Sequence, residues 1–153
     1  MSQWLQASPY GDISVVTTAR GLREIRFDAD ADGTPDRAVM RQLDQWFAGK
    51  RRTFDLELDL DDIDGFRRTA LDVLAREVGW GETVTYGELA EMAGRPRAAR
   101  AAGSAMKNNP IPFVIPCHRV VAAGNRIGGY GGGRNSVALK RALLAREGVT
   151  TLR

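Results

Sequence analysis

The only cysteine and the only histidine of this 153-residue chain are adjacent, as Cys117 and His118. A thiolate is a strong nucleophile, and a neighbouring base or cation favours it, so the pair could carry out nucleophilic chemistry. It could equally be a structural cysteine beside a packed histidine. If the segment is a strand, adjacent side chains point to opposite faces, and contact between the two would need a bend or a bridging water. A second candidate is the glycine loop around Tyr130, from Gly128 to Gly133. Its bare N–H groups could bind an anion, its tyrosine could stack on a planar ligand, or it could be a surface loop. It lacks the Lys-Ser/Thr end of a nucleotide P-loop. With one cysteine no intrachain disulfide can form, which fits a reducing compartment. With no further Cys or His, no metal centre built on those ligands is expected.

The elements that must position these residues follow from the pattern of apolar side chains. Residues 13–16 and 22–27 predict two strands joined at Arg20-Gly21 as a hairpin. Residues 36–47 carry Val39, Leu43, Trp46 and Phe47 at helical spacing, and Gly49 ends the helix. Phe54, Leu56 and Leu58 alternate with Asp55, Glu57 and Asp59, which predicts a third strand. Residues 59–65 then read as a linker. Phe66, Leu71, Leu74 and Val78 suit an amphipathic helix. Thr85 with Glu88 forms a capping box for a short helix over 86–93. A turn at Gly94-Arg95-Pro96 and a helix over 98–107, rich in small residues, complete a helix-turn-helix pattern, which many helix pairs use only to pack a core. Phe113-Val114-Ile115 predicts a short apolar strand delivering Cys117, and residues 137–146 a closing helix. The expected fold is α+β: a three-stranded antiparallel sheet with a helix over residues 1–60, then a mostly helical unit over 66–153.

Composition excludes some classes. With 43% hydrophobic and 27% charged residues, disorder has no support. No apolar run reaches the ~20 residues that span a bilayer, so no membrane association is expected. The first residues lack a basic segment leading into an apolar core, so the expected compartment is the cytoplasm. Acidic residues gather in the first half, at Asp28, Asp30 and Asp32 and from Asp55 to Asp64. Arg95, Arg97, Arg100, Lys107, Arg119, Arg126, Arg134, Lys140 and Arg141 make the second half basic. A polyanionic partner would therefore meet the C-terminal unit.

The run Asn109-Pro110-Ile111-Pro112-Phe113-Val114-Ile115-Pro116-Cys117-His118-Arg119-Val120-Val121, with Gly129-Tyr130-Gly131-Gly132 and then Leu143-Leu144 and Glu147-Gly148, resembles the methylated-DNA–protein-cysteine alkyltransferases. The similarity includes Gly81-Glu82-Thr83-Val84-Thr85-Tyr86-Gly87-Glu88-Leu89-Ala90 and Ala98-Ala99-Arg100-Ala101. It extends more loosely to Ser8-Pro9-Tyr10-Gly11 and Gln45-Trp46-Phe47-Ala48-Gly49, so nearly the whole chain is covered. Gly79-Trp80 departs from the Pro and aromatic often found before Gly-Glu-Thr.

The resemblance implies a ribonuclease H-like N-terminal subdomain and a C-terminal one with a winged-helix-like helix-turn-helix. It implies DNA repair by one-turnover transfer of a methyl or alkyl group from O6 of guanine, with O4 of thymine a further candidate. The partner would be double-stranded DNA containing O6-alkylguanine, met by a monomer without cofactor, and cooperative binding on DNA is left open. Cys117 would accept the group, His118 would withdraw its proton through a water, and Glu147 would orient His118, implying a thiol more acidic than free cysteine. Asn109 would brace the turn. Tyr86 would crowd the target phosphate and donate a proton to the leaving base. Arg100 would fill the stack vacated by the flipped nucleotide, while Ala99 and Gly103 allow close approach to the minor groove. Met106, Val120, Tyr130, Gly131 and Gly132 would line the pocket.

Three other readings stand beside this one. In non-catalytic proteins that flag alkylated bases the acceptor position is not cysteine, so Cys117 argues against that role. A sequence-specific regulator needs a polar base-reading face, and the Ala/Gly surface around Arg100 offers little. A Cys–His hydrolase would turn over repeatedly.

Overall fold

Gly21 turns the predicted hairpin with φ +132°. A Cβ there would lie 2.3 Å from the Glu57 carbonyl oxygen, so the position requires glycine. The strands on either side, β2 (Ile13–Thr18) and β3 (Gly21–Phe27), pair antiparallel with Val15 opposite Ile25. The computed structural model describes residues 1–130 and 136–153, in two compact units, Met1–Asp61 and Asp62–Arg153.

The third strand of the first unit is not the one predicted. It is β1 (Ser2–Gln6), antiparallel to β2, in the order β1-β2-β3. Its alternation is hidden in the sequence because an inward position is filled by Gln6. That side chain donates to the Met40 carbonyl at 2.9 Å and to Asp44 Oδ1 at 2.8 Å, which is how a buried amide becomes tolerable. Residues 54–58 keep their alternating burial but make only one bridge, Leu58 with Leu22. The Asp55 N–H and carbonyl are satisfied by the Gln42 amide, not by a ladder. Gln42 belongs to α1 (Arg37–Phe47), whose N-cap Asp36 accepts from the Ala38 and Val39 amides.

The second unit is mostly helical. α2 (Gly65–Glu77) buries Leu71 and Leu74 completely. Each such leucine contributes roughly 1.5–3 kcal/mol. β4 (Val84–Thr85) leads into α3 (Tyr86–Met92), and Thr85 caps that helix in a complete capping box with Glu88. A turn then leads to α4 (Ala99–Lys107), packed on α2 and α3. β5 (Val120–Val121) pairs parallel with β4, Val84 opposite Val120. α5 (Val137–Arg146) follows, with Ser136 capping its N-terminus. The β4–β5 pair ties the start of α3 to the chain segment that leaves Cys117. No helix among the described residues is long and apolar enough to cross a membrane.

Candidate active site

Residues 113–115 do not form the predicted strand. Pro110, Pro112 and Pro116 donate no backbone hydrogen bond, and the chain folds into tight turns instead. Phe113 takes φ +72°, a left-handed conformation costly for a bulky residue, by about 1 kcal/mol or more. Cys117–Arg119 then form a single 3₁₀ turn, which supplies the bend that adjacent Cys and His side chains need. Every residue from 111 to 121 is buried. Asn109 braces this segment from both ends of its amide: Nδ2 donates to the Ile115 carbonyl at 2.8 Å, and Oδ1 accepts from the Ile111 N–H at 3.0 Å.

Cys117 faces a cavity of about 150 Å³ lined by Tyr86, Gly103, Met106, Lys107, Cys117, Gly129 and Tyr130. That is below the roughly 300–1,000 Å³ of drug-sized ligand sites, so it suits a small fragment. Cys117 Sγ lies 3.8 Å from the Tyr130 hydroxyl. The Tyr86 hydroxyl donates to the Gly129 carbonyl at 3.2 Å. Gly128 makes room for the Tyr86 ring, because a Cβ there would lie 3.1 Å from its Cε2 and hydroxyl. Of the expected wall, Met106 and Tyr130 line the cavity. Val120 is fully buried on β5 and is not among the described lining residues. Gly131 and Gly132 lie outside the described residues.

Lys140, which the sequence placed only among the cations of the basic second half, is fully buried at this site. Its Nζ donates to the Val120 carbonyl at 2.6 Å, the Gly129 carbonyl at 2.9 Å and the Tyr86 hydroxyl at 3.4 Å. It thus joins α5 to β5, to the glycine loop and to α3. Burial lowers its pKa to about 8, while the charge of a Cys117 thiolate would raise it. A signal was present in the sequence: position 140 shares a helix face with Leu144 and Glu147, at i+4 and i+7.

Behind Cys117, Glu147 is the hub of a buried cluster. It accepts from His118 Nε2 at 2.7 Å, from Arg119 Nε at 2.8 Å and from the Gly81 N–H at 3.2 Å. Burial alone would raise this carboxyl, but the hydrogen bonds from His118 and Arg119 hold it at about 2. Burial pushes His118 down, against the pull of Glu147. Arg119 is a second residue to which the sequence gave no role at the site beyond its basic charge, although a charge within an otherwise apolar run is itself a signal.

The thiol departs from expectation. Burial pushes Cys117 up, against hydrogen bonds from Asn109 and Tyr130 and the Lys140 charge, which pull it down. In the resting site, desolvation of the thiolate outweighs these contacts.

The remaining expected residues lie on α4. Its buried face is Ala102, Ala105 and Met106, and its exposed face carries Ala99, Arg100, Ala101, Ser104 and Lys107. Gly103 sits between, at the cavity wall. A surface of small side chains and cations can approach a polyanion closely.

Comparison with known proteins gives two family matches. The model described as 6-O-methylguanine DNA methyltransferase, ribonuclease-like domain, matches residues 4–60, and that described as the DNA binding domain matches residues 65–149. The chain is 42% identical over 141 residues to the methylated-DNA–protein-cysteine methyltransferase of Mycobacterium tuberculosis, covering 90% of this chain and 82% of the relative. It is 36% identical over 152 residues to the same-named protein of Methanosarcina acetivorans, covering 92% and 94%. The crystal structure of Mycobacterium tuberculosis OGT in complex with DNA superposes with a TM-score of 0.86 at 33% identity, covering 98% of this chain and 94% of that one.

Proposed function

The chain belongs to the O6-methylguanine DNA methyltransferase family, and on that premise we propose which of its residues perform the reaction. The protein acts in DNA repair, binding DNA and transferring an alkyl group to a cysteine of its own. Cys117 is the acceptor. The observation that carries this assignment is that the chain's single cysteine lines the cavity formed by Tyr86, Met106 and Tyr130.

His118 is held by Glu147 through Nε2, so Nδ1 is the nitrogen that accepts the thiol proton, through a bridging water. The Lys140 ammonium supports the thiolate as it forms. The thiolate attacks the alkyl carbon; the S–C bond forms as the C–O6 bond breaks. The electron pair passes to O6 and the guanine ring, which takes a proton from Tyr86. The product thioether is not readily reversed, so each molecule acts once. Asn109 keeps the turn beneath the sulfur in place.

A base inside a duplex must leave the stack to reach this cavity. α4 enters the minor groove, Ala99 and Gly103 allow its close approach, and Arg100 occupies the vacated stack. The C-terminal unit, residues 66–153, carries both DNA binding and chemistry; the N-terminal unit, residues 1–60, has no group in the steps above. The protein works as a monomer, since one chain supplies every group named, and its free Cys117 thiol fits the reducing cytoplasm. The same displacement extends to O4 of alkylated thymine.

The test is Cys117→Ser incubated with O6-benzylguanine and, separately, with alkylated duplex. The wild type gains one benzyl group by intact mass and releases guanine. The variant gains none and still binds DNA. Transfer surviving in the variant would overturn the assignment.

A further inference from the structure

Glu147 serves two side chains, an imidazole and a guanidinium, from one carboxylate. His118 Nε2 lies 2.7 Å from Oε2, while Arg119 donates from Nε to Oε1 at 2.8 Å and from Nη2 to Oε2 at 3.2 Å. Arg119 Nη1 is anchored on the Val78 carbonyl at 2.9 Å, which fixes the guanidinium plane. The side chains of His118 and Glu147 are 0% exposed and that of Arg119 6%.

In such an enclosed site a carboxylate facing only an imidazole pulls a proton onto the ring, because the opposite charge favours the cation. An imidazolium cannot accept the proton of Cys117. Arg119 changes the charge balance. Arg119 and Glu147 together are neutral, so protonating His118 would add an uncompensated buried charge, with the Lys140 ammonium on α5 as a further cation facing it.

We infer that Arg119 is a positioning residue for alkyl transfer: it shares the Glu147 carboxylate, so that Glu147 orients His118 as the Nε2–H tautomer without protonating it. This rests on Cys117 as acceptor and His118 as base. The direction of the His118 shift agrees: burial lowers it, Glu147 raises it, and the Arg119 and Lys140 charges lower it further. The alternative is that Arg119 is only a strut between the end of α5 and the end of α2.

His118 is the only histidine, so ¹⁵N-histidine NMR reads one imidazole. In the wild type at pH 7 the ring should be neutral, with its proton on Nε2. In Arg119→Gln the imidazole pKa should rise by about one unit or more. The acid limb of the transfer rate should move with it, an approximately tenfold loss per unit on that limb with the alkaline plateau retained. Arg119→Lys, which keeps a cation, should titrate close to the wild type. An imidazolium in the wild type at pH 7 would overturn the inference even if Arg119→Gln fails to fold, and so would a folded Arg119→Gln that titrates like the wild type. Peptide mapping of the same samples separates the two readings. Wild-type transfer to Cys117 with a cationic His118 refutes the role of Arg119 alone. No transfer to Cys117 refutes the acceptor assignment.

Discussion

Cys117 is held between opposing effects, and the groups that oppose burial can be removed singly. Burial favours the thiol, while Asn109, Tyr130 and the Lys140 ammonium favour the thiolate. Lys140→Met should therefore raise the apparent pKa for alkylation of Cys117 by iodoacetamide, by about one unit, and slow transfer near neutral pH. An unchanged pH profile in the folded variant would remove Lys140 from thiolate stabilisation. Glu147 carries a stability consequence. Its carboxyl is depressed from 4.5 to about 2, so its contribution is complete above about pH 4.5 and is lost as pH falls toward 2. Glu147→Gln strands the buried Arg119 charge and should cost roughly 3–5 kcal/mol at neutral pH. Its melting temperature should then fall less steeply than that of the wild type between pH 4.5 and 2. The sequence showed Cys117 and His118 by rarity and adjacency, and Glu147 only through resemblance. A lone glutamate at a helix end reads as solvated, and nothing local announces a partner 29 residues away. Lys140 and Arg119 escaped because basic residues are usually exposed.

Local elements bring these side chains together. Thr85 is both the last residue of β4 and the N-cap of α3, and β4 pairs with the strand leaving the Cys117 turn. Tyr86 is therefore delivered to the cavity by a cap and a two-residue ladder. The capping box was legible because its two residues are three apart in sequence. The parallel pair was not, because each strand has only two residues and its partner lies far along the chain. The segment 113–115 before Cys117 was misread as a strand, since three apolar residues satisfy that pattern while the flanking prolines forbid the ladder. On α4, Arg100 is exposed beside small residues. Arg100→Ala should slow repair in duplex DNA at least tenfold while leaving reaction with free O6-benzylguanine nearly unchanged, since only the duplex requires base flipping. Equal losses on both substrates, compared by single-turnover rates, would assign Arg100 to the chemistry or the fold.

Across the whole molecule, charge divides with the chain: acidic segments in the first unit, cations on the helix pair of the second. Binding to undamaged duplex should be insensitive to sequence and weaken steeply with salt, each neutralised phosphate adding about 0.9 to the slope of log K against log salt. A salt-independent affinity, measured by fluorescence anisotropy, would mean that the exposed cations of α4 do not meet phosphates. The helices α1 and α2 were readable from periodicity, because Val39, Leu43 and Trp46, and then Leu71 and Leu74, recur at helical spacing and are buried. The edge strand was not, because Gln6 occupies an inward position. The alkyl transfer ends at one sulfur atom, that of Cys117. The direct test is to incubate the protein with duplex containing one O6-methylguanine, then measure intact mass and map the peptides. One methyl group per molecule, carried by Cys117, with no second turnover when substrate is in excess, is the result this structure predicts. Methyl on another residue, or repeated turnover with an unmodified Cys117, would contradict it.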